Sequence, residues 1–381
     1  MNESKDLKID SYSLNNTGSL NQLDDFLTQV SENKQIPKDV LRNSFRDIKP
    51  LELVRKLVSP PPVTLKKNWQ VYRDRMIEPI RIAAATRFWQ ENRAFLEQTE
   101  QKTGVPAEIL IGIIGIETNY GSNMGKFPVR DVLTTLAFDY PDAPNKESRQ
   151  NLFKDQLTDL IVYCWTGSQQ KPNIPFDRCL KQPSSFAGAI GMPQFMPGSI
   201  RRYAVDGDGD GLIDLRTSNK DAIASVANFM LEHGWQKQQP IFLEIQNTQT
   251  AITAASLLAD GDPTPKYTLG LLKKNGVIDT WPAGLTENSP ALIVDLPSPD
   301  KNGGTIIEYV VGLKNFEVIT LYNRSFFYAK TVTDFGYKVG ALMRKPKVND
   351  SAPSRLNDSP SKKKTEIIKK KKKKTRPGIR P

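Results

Sequence analysis

The chain has 381 residues, 38% of them hydrophobic, which is enough for two or three compact units with buried cores. Its net charge is +11, but residues 361–381 contain nine Lys, two Arg and one Glu and therefore carry +10 of it. This distribution excludes a nucleic-acid-binding domain of the usual kind, in which Lys and Arg are spread over the folded surface.

The first part of the chain is predicted to be helical. Residues 1–20 are polar and predicted to be flexible, and the first thirty contain no apolar segment of signal-peptide type. The protein is therefore either cytoplasmic or separated from an export signal. Apolar residues follow helical spacing from Leu23 to Val30, and another helix is predicted over residues 81–101. The longest apolar run, 109–116, is too short to cross a membrane and indicates a buried core helix.

From about residue 237 the pattern changes to that of a small β subdomain. Residues 241–245 and 291–296 are short apolar runs, and turns are predicted at 260–262 and 302–304. A further strand is predicted from alternation with a period of two at Phe316, Val318, Thr320 and Tyr322. A last helix is predicted over residues 325–343, and the segment after residue 345 is predicted to be disordered.

These elements predict a mainly α (α+β) fold. We expect a helical domain at 21–105, completed by the helix 325–345, and a catalytic core at 106–236. A β-rich subdomain is expected at 237–324, and a disordered Lys-rich tail at 346–381.

The inventory of reactive side chains excludes several enzyme classes. The chain has one His, His233, and two Cys, Cys164 and Cys179. A typical zinc site needs three or four His, Cys or carboxylate ligands, and a Ser-His-Asp enzyme would depend on His233. His233 precedes Gly234 at a predicted helix end, which favours a solvated residue. Any catalysis is therefore expected from carboxylates.

The core helix ends in one carboxylate. Residues 109–121 read ILIGIIGIETNYG, so Glu117 follows an aliphatic run, and Asn119 and Gly121 are expected to end the helix. Burial and the negative end of the helix dipole would both raise the pKa of Glu117. A protonated acid of this kind can protonate a glycosidic oxygen. The alternative is a Glu that begins the exposed part of a helix, and the spacing alone favours it at least as much.

A second segment, residues 185–197, reads SFAGAIGMPQFMP. Its small residues permit close backbone packing. Gln194 is a neutral donor and acceptor among apolar neighbours, which suits the N-acetyl group of a sugar. Taken alone, the segment could also be a buried loop between helices.

The two segments together resemble the lytic murein transglycosylase B family, a branch of the lysozyme-like superfamily. The similarity extends from about residue 23 to residue 342. It implies a lysozyme-like helical core in which Glu117 is the catalytic acid/base. Phe229 stands where the family often has a Tyr in its saccharide groove. The residues that the resemblance places along this groove are Tyr72, Ser185, Gln194, Phe195, Tyr322, Asn323 and Tyr328.

The resemblance implies cleavage of the β-1,4 bond between N-acetylmuramic acid and N-acetylglucosamine in peptidoglycan strands. The product would carry a 1,6-anhydro end, because the muramyl C6 hydroxyl replaces water as the nucleophile. One alternative is a hydrolytic muramidase, which needs a second acid opposite Glu117. Another is a non-catalytic peptidoglycan-binding protein. The implied location is the periplasm or cell envelope, and wall-remodelling proteins are open as partners.

Residues 206–214, DGDGDGLID, match the first nine positions of an EF-hand calcium loop. The twelfth position is Thr217 instead of Glu, and the resemblance gives that role to Asp221. A solvated Asp/Gly turn is the alternative. A structural Ca²⁺ is expected, with no organic cofactor. The ligands predicted for it are Asp206, Asp208, Asp210, the carbonyl of Leu212, Asp214 and Asp221.

Two weaker features have open interpretations. Cys164 and Cys179 are fifteen residues apart and could form a disulfide worth up to about 3 kcal/mol, or remain free thiols. The Lys-rich tail could contact anionic polymers, although a solvated extension is the favoured interpretation.

Overall fold

A computed structural model describes residues 17–60, 66–170 and 175–344. The predicted flexible N-terminus lies mostly outside these ranges, although a helix already begins at Thr17 and not after residue 20. The Lys-rich tail, for which disorder was predicted, lies outside the described residues.

Helices predominate in the described residues, and the predicted mainly α fold is confirmed. The helices before the central segment are α1 Thr17–Lys34, α2 Lys38–Phe45, α3 Glu52–Val58, α4 Trp69–Met76 and α5 Pro79–Thr103. Those that follow are α6 Ala107–Thr118, α7 Val129–Phe138, α8 Lys146–Gln170, α9 Phe176–Leu180, α10 Pro197–Tyr203 and α11 Asn219–Glu232. The last are α12 Gln249–Leu258, α13 Leu269–Lys274, α14 Lys314–Tyr322 and α15 Phe326–Met343. The strands are β1 Phe127–Pro128, β2 Pro183–Ser184, β3 Phe242–Glu244, β4 Tyr267–Thr268, β5 Pro290–Pro299 and β6 Thr305–Gly312.

Helix α6 lies at the centre of the fold because its sequence is apolar on every side. All of its residues from Ala107 to Gly115 are buried, and it packs against α5, α11 and α15. Each buried Ile or Leu side chain there contributes about 1.5–3 kcal/mol relative to an exposed one. The prediction of a buried core helix at 109–116 is confirmed.

Glycines bring the backbones of α6 and α15 into contact. A Cβ on Gly112 would lie 2.5 Å from the carbonyl oxygen of Val332, and one on Gly336 would lie 2.2 Å from that of Glu108. Neither position can hold a larger residue unless the helices separate. The two helices run antiparallel, so the first turn of α15 lies beside the last turn of α6.

The main sheet has four antiparallel strands in the order β3-β6-β5-β4. Its long pair is the β5–β6 hairpin, in which Leu292 lies opposite Gly312 and Pro299 opposite Thr305. The predicted strands at 241–245 and 291–296 and the hairpin turn at 302–304 are therefore confirmed. One face of this sheet packs with α12 and α13 into a second, smaller hydrophobic core that includes Ala255, Leu269 and Ile293.

The strand predicted from Phe316 to Tyr322 is wrong, because these residues form helix α14. The alternation was incomplete, since Ile319 interrupts it and is also buried. The start of this helix is fixed by buried Asn315, whose side-chain amide donates to the carbonyl oxygens of Gln236 and Gln239, each at 2.9 Å. Long-range burial therefore decided the conformation of this segment.

Cys164 on α8 and Cys179 on α9 form a disulfide, with their Cα atoms 5.5 Å apart. This pairing decides between the two interpretations left open by the sequence. Within the described ranges no helix has the length and apolar content needed to cross a membrane.

Candidate active site

Glu117 lies in the last turn of α6, where the chain turns away sharply. Asn119, Tyr120 and Gly121 follow in the left-handed region, with φ values of 49°, 56° and 83°. The predicted helix stop is therefore present, and the N–H of Asn119 donates to the carbonyl of Gly115 at 3.1 Å. The Glu117 side chain is half-buried and lines a cavity.

Burial raises the pKa of Glu117 to about 7, well above its ordinary value. The hydroxyl of Tyr328 donates to Oε1 of Glu117 at 2.7 Å, which stabilises the carboxylate and opposes part of that rise. Tyr328 is only 2% exposed. The protonated and ionised forms of the carboxyl are therefore both accessible near neutral pH.

Two further tyrosines surround this acid. The Tyr322 ring stacks on that of Tyr328 at 6.3 Å, and its hydroxyl donates to the carbonyl of Pro193 at 2.5 Å. Burial and the nearby charge of Glu117 raise the pKa values of both Tyr322 and Tyr72. Both phenols therefore remain neutral hydrogen-bonding groups at physiological pH.

A cavity of about 550 Å³ opens beside Glu117. This volume is in the range of small-ligand sites. Among its lining residues Glu117 is the only acid, and Lys126 is the only base. The lining consists of Glu117, Ser122, Asn123, Met124, Gly125, Lys126, Phe127, Ser185, Phe186 and Gln194.

The structure brings Ser185 and Gln194 to this cavity with Glu117. Ser185 Oγ accepts from the N–H groups of Ala187 and Ala189 at 3.2 and 3.0 Å, so its own proton can be donated elsewhere. Gln194 has φ 52° and donates from Nε2 to the carbonyl of Gly191 at 2.9 Å. Both polar side chains are thus held in place by their own loop.

The other predicted groove residues are not among those that line this cavity. Phe195 and Phe229 are only 2% and 6% exposed, and their rings pack against Tyr322 at 5.8 and 4.8 Å. They support the Tyr322 ring and, because they are buried, offer a saccharide little direct contact. Asn323 is exposed in the turn between α14 and α15. Tyr72 is half-buried on α4, with its ring 5.6 Å from that of Phe327.

Residues 122–127 form one wall of the cavity, although no sequence pattern predicted a role for them. A Cβ on Gly125 would lie 2.1 Å from the carbonyl oxygen of Ser184, and Phe127 pairs with Ser184 in the β1–β2 ladder. The wall is therefore pinned to the segment that carries Ser185. The only signal in the sequence was the pair of glycines, Gly121 and Gly125, that brackets it.

A chain of hydrogen bonds connects the aspartate loop to the last turn of α6. Leu215, which follows the loop, accepts from the N–H of Met192 at 2.8 Å. The carbonyl of Met192 in turn accepts from Oγ1 of Thr118 at 2.9 Å. Thr118 is adjacent to Glu117, so the loop, the Gln194 segment and the acid are mechanically linked.

The aspartate loop gathers three of its predicted ligands. One carboxylate oxygen from each of Asp206, Asp208 and Asp210 lies within 4.8 Å of the others. Backbone N–H groups shape this arrangement, since Asp206 accepts from Gly209 and Gly211, each at 2.7 Å. Such a group of hard oxygen donors suits a divalent cation.

Asp214 and Asp221, two further predicted ligands, accept hydrogen bonds from the backbone of the loop. Asp221 is buried and accepts from the N–H groups of Gly207 and Asp214 at 2.8 and 2.7 Å. Asp214 accepts from the N–H groups of Arg216 and Thr217 at 2.8 and 3.0 Å. The structure does not place these two carboxylates in the group formed by the first three.

The family model described as "Transglycosylase SLT domain" matches residues 19–337. The chain belongs to this family. It is 36% identical over 287 residues to membrane-bound lytic murein transglycosylase B of Escherichia coli, covering 74% of this chain and 70% of that protein.

Solved structures of the transglycosylase family share the fold. Soluble lytic transglycosylase SltB1 from Pseudomonas aeruginosa aligns with a TM-score of 0.71 and 32% identity, over 84% of this chain and 99% of that one. Lytic transglycosylase Slt35 of Escherichia coli in complex with calcium aligns with a TM-score of 0.70 and 31% identity, over 90% and 99%. These matches confirm the family and the lysozyme-like fold class that the sequence predicted.

Proposed function

We propose that this transglycosylase cleaves peptidoglycan glycan strands non-hydrolytically, with Glu117 as its single acid/base. Family membership supports the reaction class, and the site supports the choice of residue. Glu117 has a raised pKa and lines a cavity together with the polar side chains of Ser185 and Gln194.

The observation that carries this proposal is the isolation of Glu117 from other acids. No other Asp or Glu lines the described cavity, and the causes of the raised Glu117 pKa include no second carboxylate. A hydrolase with two carboxylates would place them about 5–10 Å apart across the scissile bond. A transglycosylase needs one carboxyl, since the substrate supplies both the nucleophile and a neighbouring acetamido group.

In the proposed reaction, protonated Glu117 donates its proton to the bridging oxygen as the C1–O bond breaks. N-acetylglucosamine leaves with a free O4 hydroxyl, and the muramyl acetamido oxygen stabilises C1. The Glu117 carboxylate then removes the proton from the muramyl C6 hydroxyl as O6 bonds to C1. This forms the 1,6-anhydro ring and returns the acid to its starting state. The neutral hydroxyls of Tyr72, Tyr322 and Ser185 are proposed to bind the saccharide, with Tyr328 orienting the acid.

The aspartate loop is proposed to bind a structural Ca²⁺ through Asp206, Asp208 and Asp210, with Asp214, Asp221 and the carbonyl of Leu212 closing the site when the ion is present. Four aspartates within nine residues repel one another unless a cation offsets their charge. The bound cation would stiffen the loop and hence the Leu215–Met192–Thr118 connection. A location in the cell envelope belongs to the same proposal, and the matched relative is described as membrane-bound. For the Lys-rich tail a solvated extension stays the favoured interpretation, with contact to anionic polymers as the alternative.

The deciding experiment is mass spectrometry of the soluble products from purified peptidoglycan. We expect products lighter by one water than hydrolytic ones, and no products from Glu117→Gln at equal protein concentration. Hydrolytic reducing-end products would instead establish a muramidase. Absence of products from a wild-type protein that still binds the wall would establish a binding protein.

A further inference from the structure

Arg81 lies in the first turn of α5 and reaches the last turn of α6. Its Nη1 donates to the carbonyl oxygen of Gly115 at 2.8 Å. That carbonyl belongs to the final turn of the helix and also accepts from the N–H of Asn119 at 3.1 Å, so Arg81 supplies its second hydrogen bond. A cation at this end also interacts favourably with the helix dipole. Arg81 therefore stabilises the turn that carries Glu117, from outside the helix.

The surroundings of Arg81 place its charge among the aromatic side chains of the site. The guanidinium opposes the rise in pKa that burial causes in both Tyr72 and Tyr120. Tyr72 also senses the charge of Glu117, so this phenol lies within electrostatic range of both Arg81 and Glu117. Nε of Arg81 is buried and has no hydrogen-bond partner within the described residues.

Arg81 also lies close in sequence to the segment that carries Tyr72. Helix α4 ends at Met76, and α5 begins at Pro79, so only Ile77 and Glu78 separate the two helices. An arginine two residues into α5 can therefore hold the α4–α5 junction against the end of α6. No other described side chain donates to the Gly115 carbonyl.

We infer that Arg81 is a positioning residue that holds the last turn of α6, and thereby sets the Glu117 carboxyl relative to Tyr72. The expected effect of Arg81 on the rate rests on the proposed function. The effect of Arg81 on the end of α6 is independent of that function. A displacement of about 1 Å in a catalytic group can cost up to 10²-fold in rate.

The test compares Arg81→Met and Arg81→Lys with Arg87→Met, which removes an exposed arginine from the same helix. Kinetics on soluble glycan strands should show a fall in kcat of about 10- to 100-fold for Arg81→Met, with KM changed less than threefold. Arg81→Lys keeps the positive charge and a hydrogen-bond donor. The decrease in log kcat that Arg81→Met causes should therefore be at least one third smaller in Arg81→Lys. Arg87→Met should match the wild type.

Amide hydrogen exchange supplies a readout that does not need activity. Arg81→Met should exchange faster than Arg87→Met in peptides covering residues 113–124, while peptides from α8 exchange equally in both. Unchanged exchange and unchanged kcat would overturn the inference, and so would a lower Tm with unchanged kcat at 25 °C. If the wild type is inactive but exchange at 113–124 still rises, the proposed function fails and the positioning of the helix end is retained.

Discussion

Replacing Tyr328 with Phe tests how the site sets the protonation of Glu117. The change removes one hydroxyl, which donates to Oε1 of Glu117 at 2.7 Å, and leaves the ring in place. A hydrogen bond to a charged group contributes about 1.5–3 kcal/mol. This corresponds to about 1–2 units in the pKa of the acceptor. Because Tyr328 is 2% exposed, water cannot easily replace the lost donor.

The expected sign follows from which form of Glu117 is stabilised. The Tyr328 hydroxyl favours the carboxylate and lowers its pKa, so its removal should raise the pKa above the present value of about 7. The first step requires the protonated acid, and activity therefore declines as pH rises through this pKa. The basic limb of the kcat/KM profile should lie near pH 7 in the wild type. In Tyr328→Phe it should move upward by about one unit.

The assay is kcat/KM for release of anhydro products from soluble glycan strands, measured between pH 5 and about pH 9. Tyr322→Phe is the matched control, because the Tyr322 hydroxyl donates to the carbonyl of Pro193 and not to Glu117. The control should keep the wild-type limb. The reasoning is refuted if the limb of Tyr328→Phe stays in place or moves to lower pH while the variant remains folded by circular dichroism.

Three further predictions concern stability. The folded protein favours the protonated form of Glu117. The contribution of this residue to the free energy of unfolding is therefore full below its unfolded pKa of 4.5 and lost as pH rises through about 7. Glu117→Gln should therefore gain up to about 3 kcal/mol over the wild type between low and high pH in urea unfolding, and a constant difference would contradict the assigned burial. Ca²⁺ at 100 times its Kd should raise the free energy of unfolding of the wild type by about 2.7 kcal/mol. This stabilisation should be smaller in Asp208→Asn and unchanged in Asp260→Asn, which alters the other Asp-Gly-Asp turn. Equal stabilisation of both variants would exclude the loop as the binding site. The double variant Cys164→Ser/Cys179→Ser should be about 3 kcal/mol less stable than the unreduced wild type, whereas two titratable thiols in the unfolded, unreduced protein would contradict the disulfide.

The parts of the fold that depend on local sequence could be predicted. Helix α6 was predictable because its apolar run ends at residues suited to left-handed conformations, namely Asn119 and Gly121. The grouping of Asp206, Asp208 and Asp210 was predictable because these residues lie close together in the sequence. The β5–β6 hairpin was predictable because apolar runs flank a Gly-rich turn.

The parts that depend on distant contacts could not be predicted. The sequence of helix α14 predicted a strand because its apolar residues lie at alternate positions. They are buried in a helix because elements elsewhere in the chain pack around it. Tyr328 and Glu117 are 211 positions apart, and only the packing of α15 on α6 shows that they share a hydrogen bond. The family resemblance named Tyr328, Phe195 and Phe229, but the sequence could not show that the last two are buried against the Tyr322 ring.

The proposed mechanism imposes two demands on one carboxyl, and the architecture around α6 reconciles them. Glu117 must be protonated to cleave the bond and ionised to accept a proton from the C6 hydroxyl. Burial alone would favour the acid, and the buried Tyr328 hydroxyl favours the base, so a pKa of about 7 is a balance between opposing contributions. That balance depends on a fixed distance between α6 and α15. Gly112 and Gly336 allow the close approach, and substituting either with Ala would move Tyr328 away from the acid. The glycines of the helix interface therefore belong to the determinants of acid strength, although neither lies in the cavity.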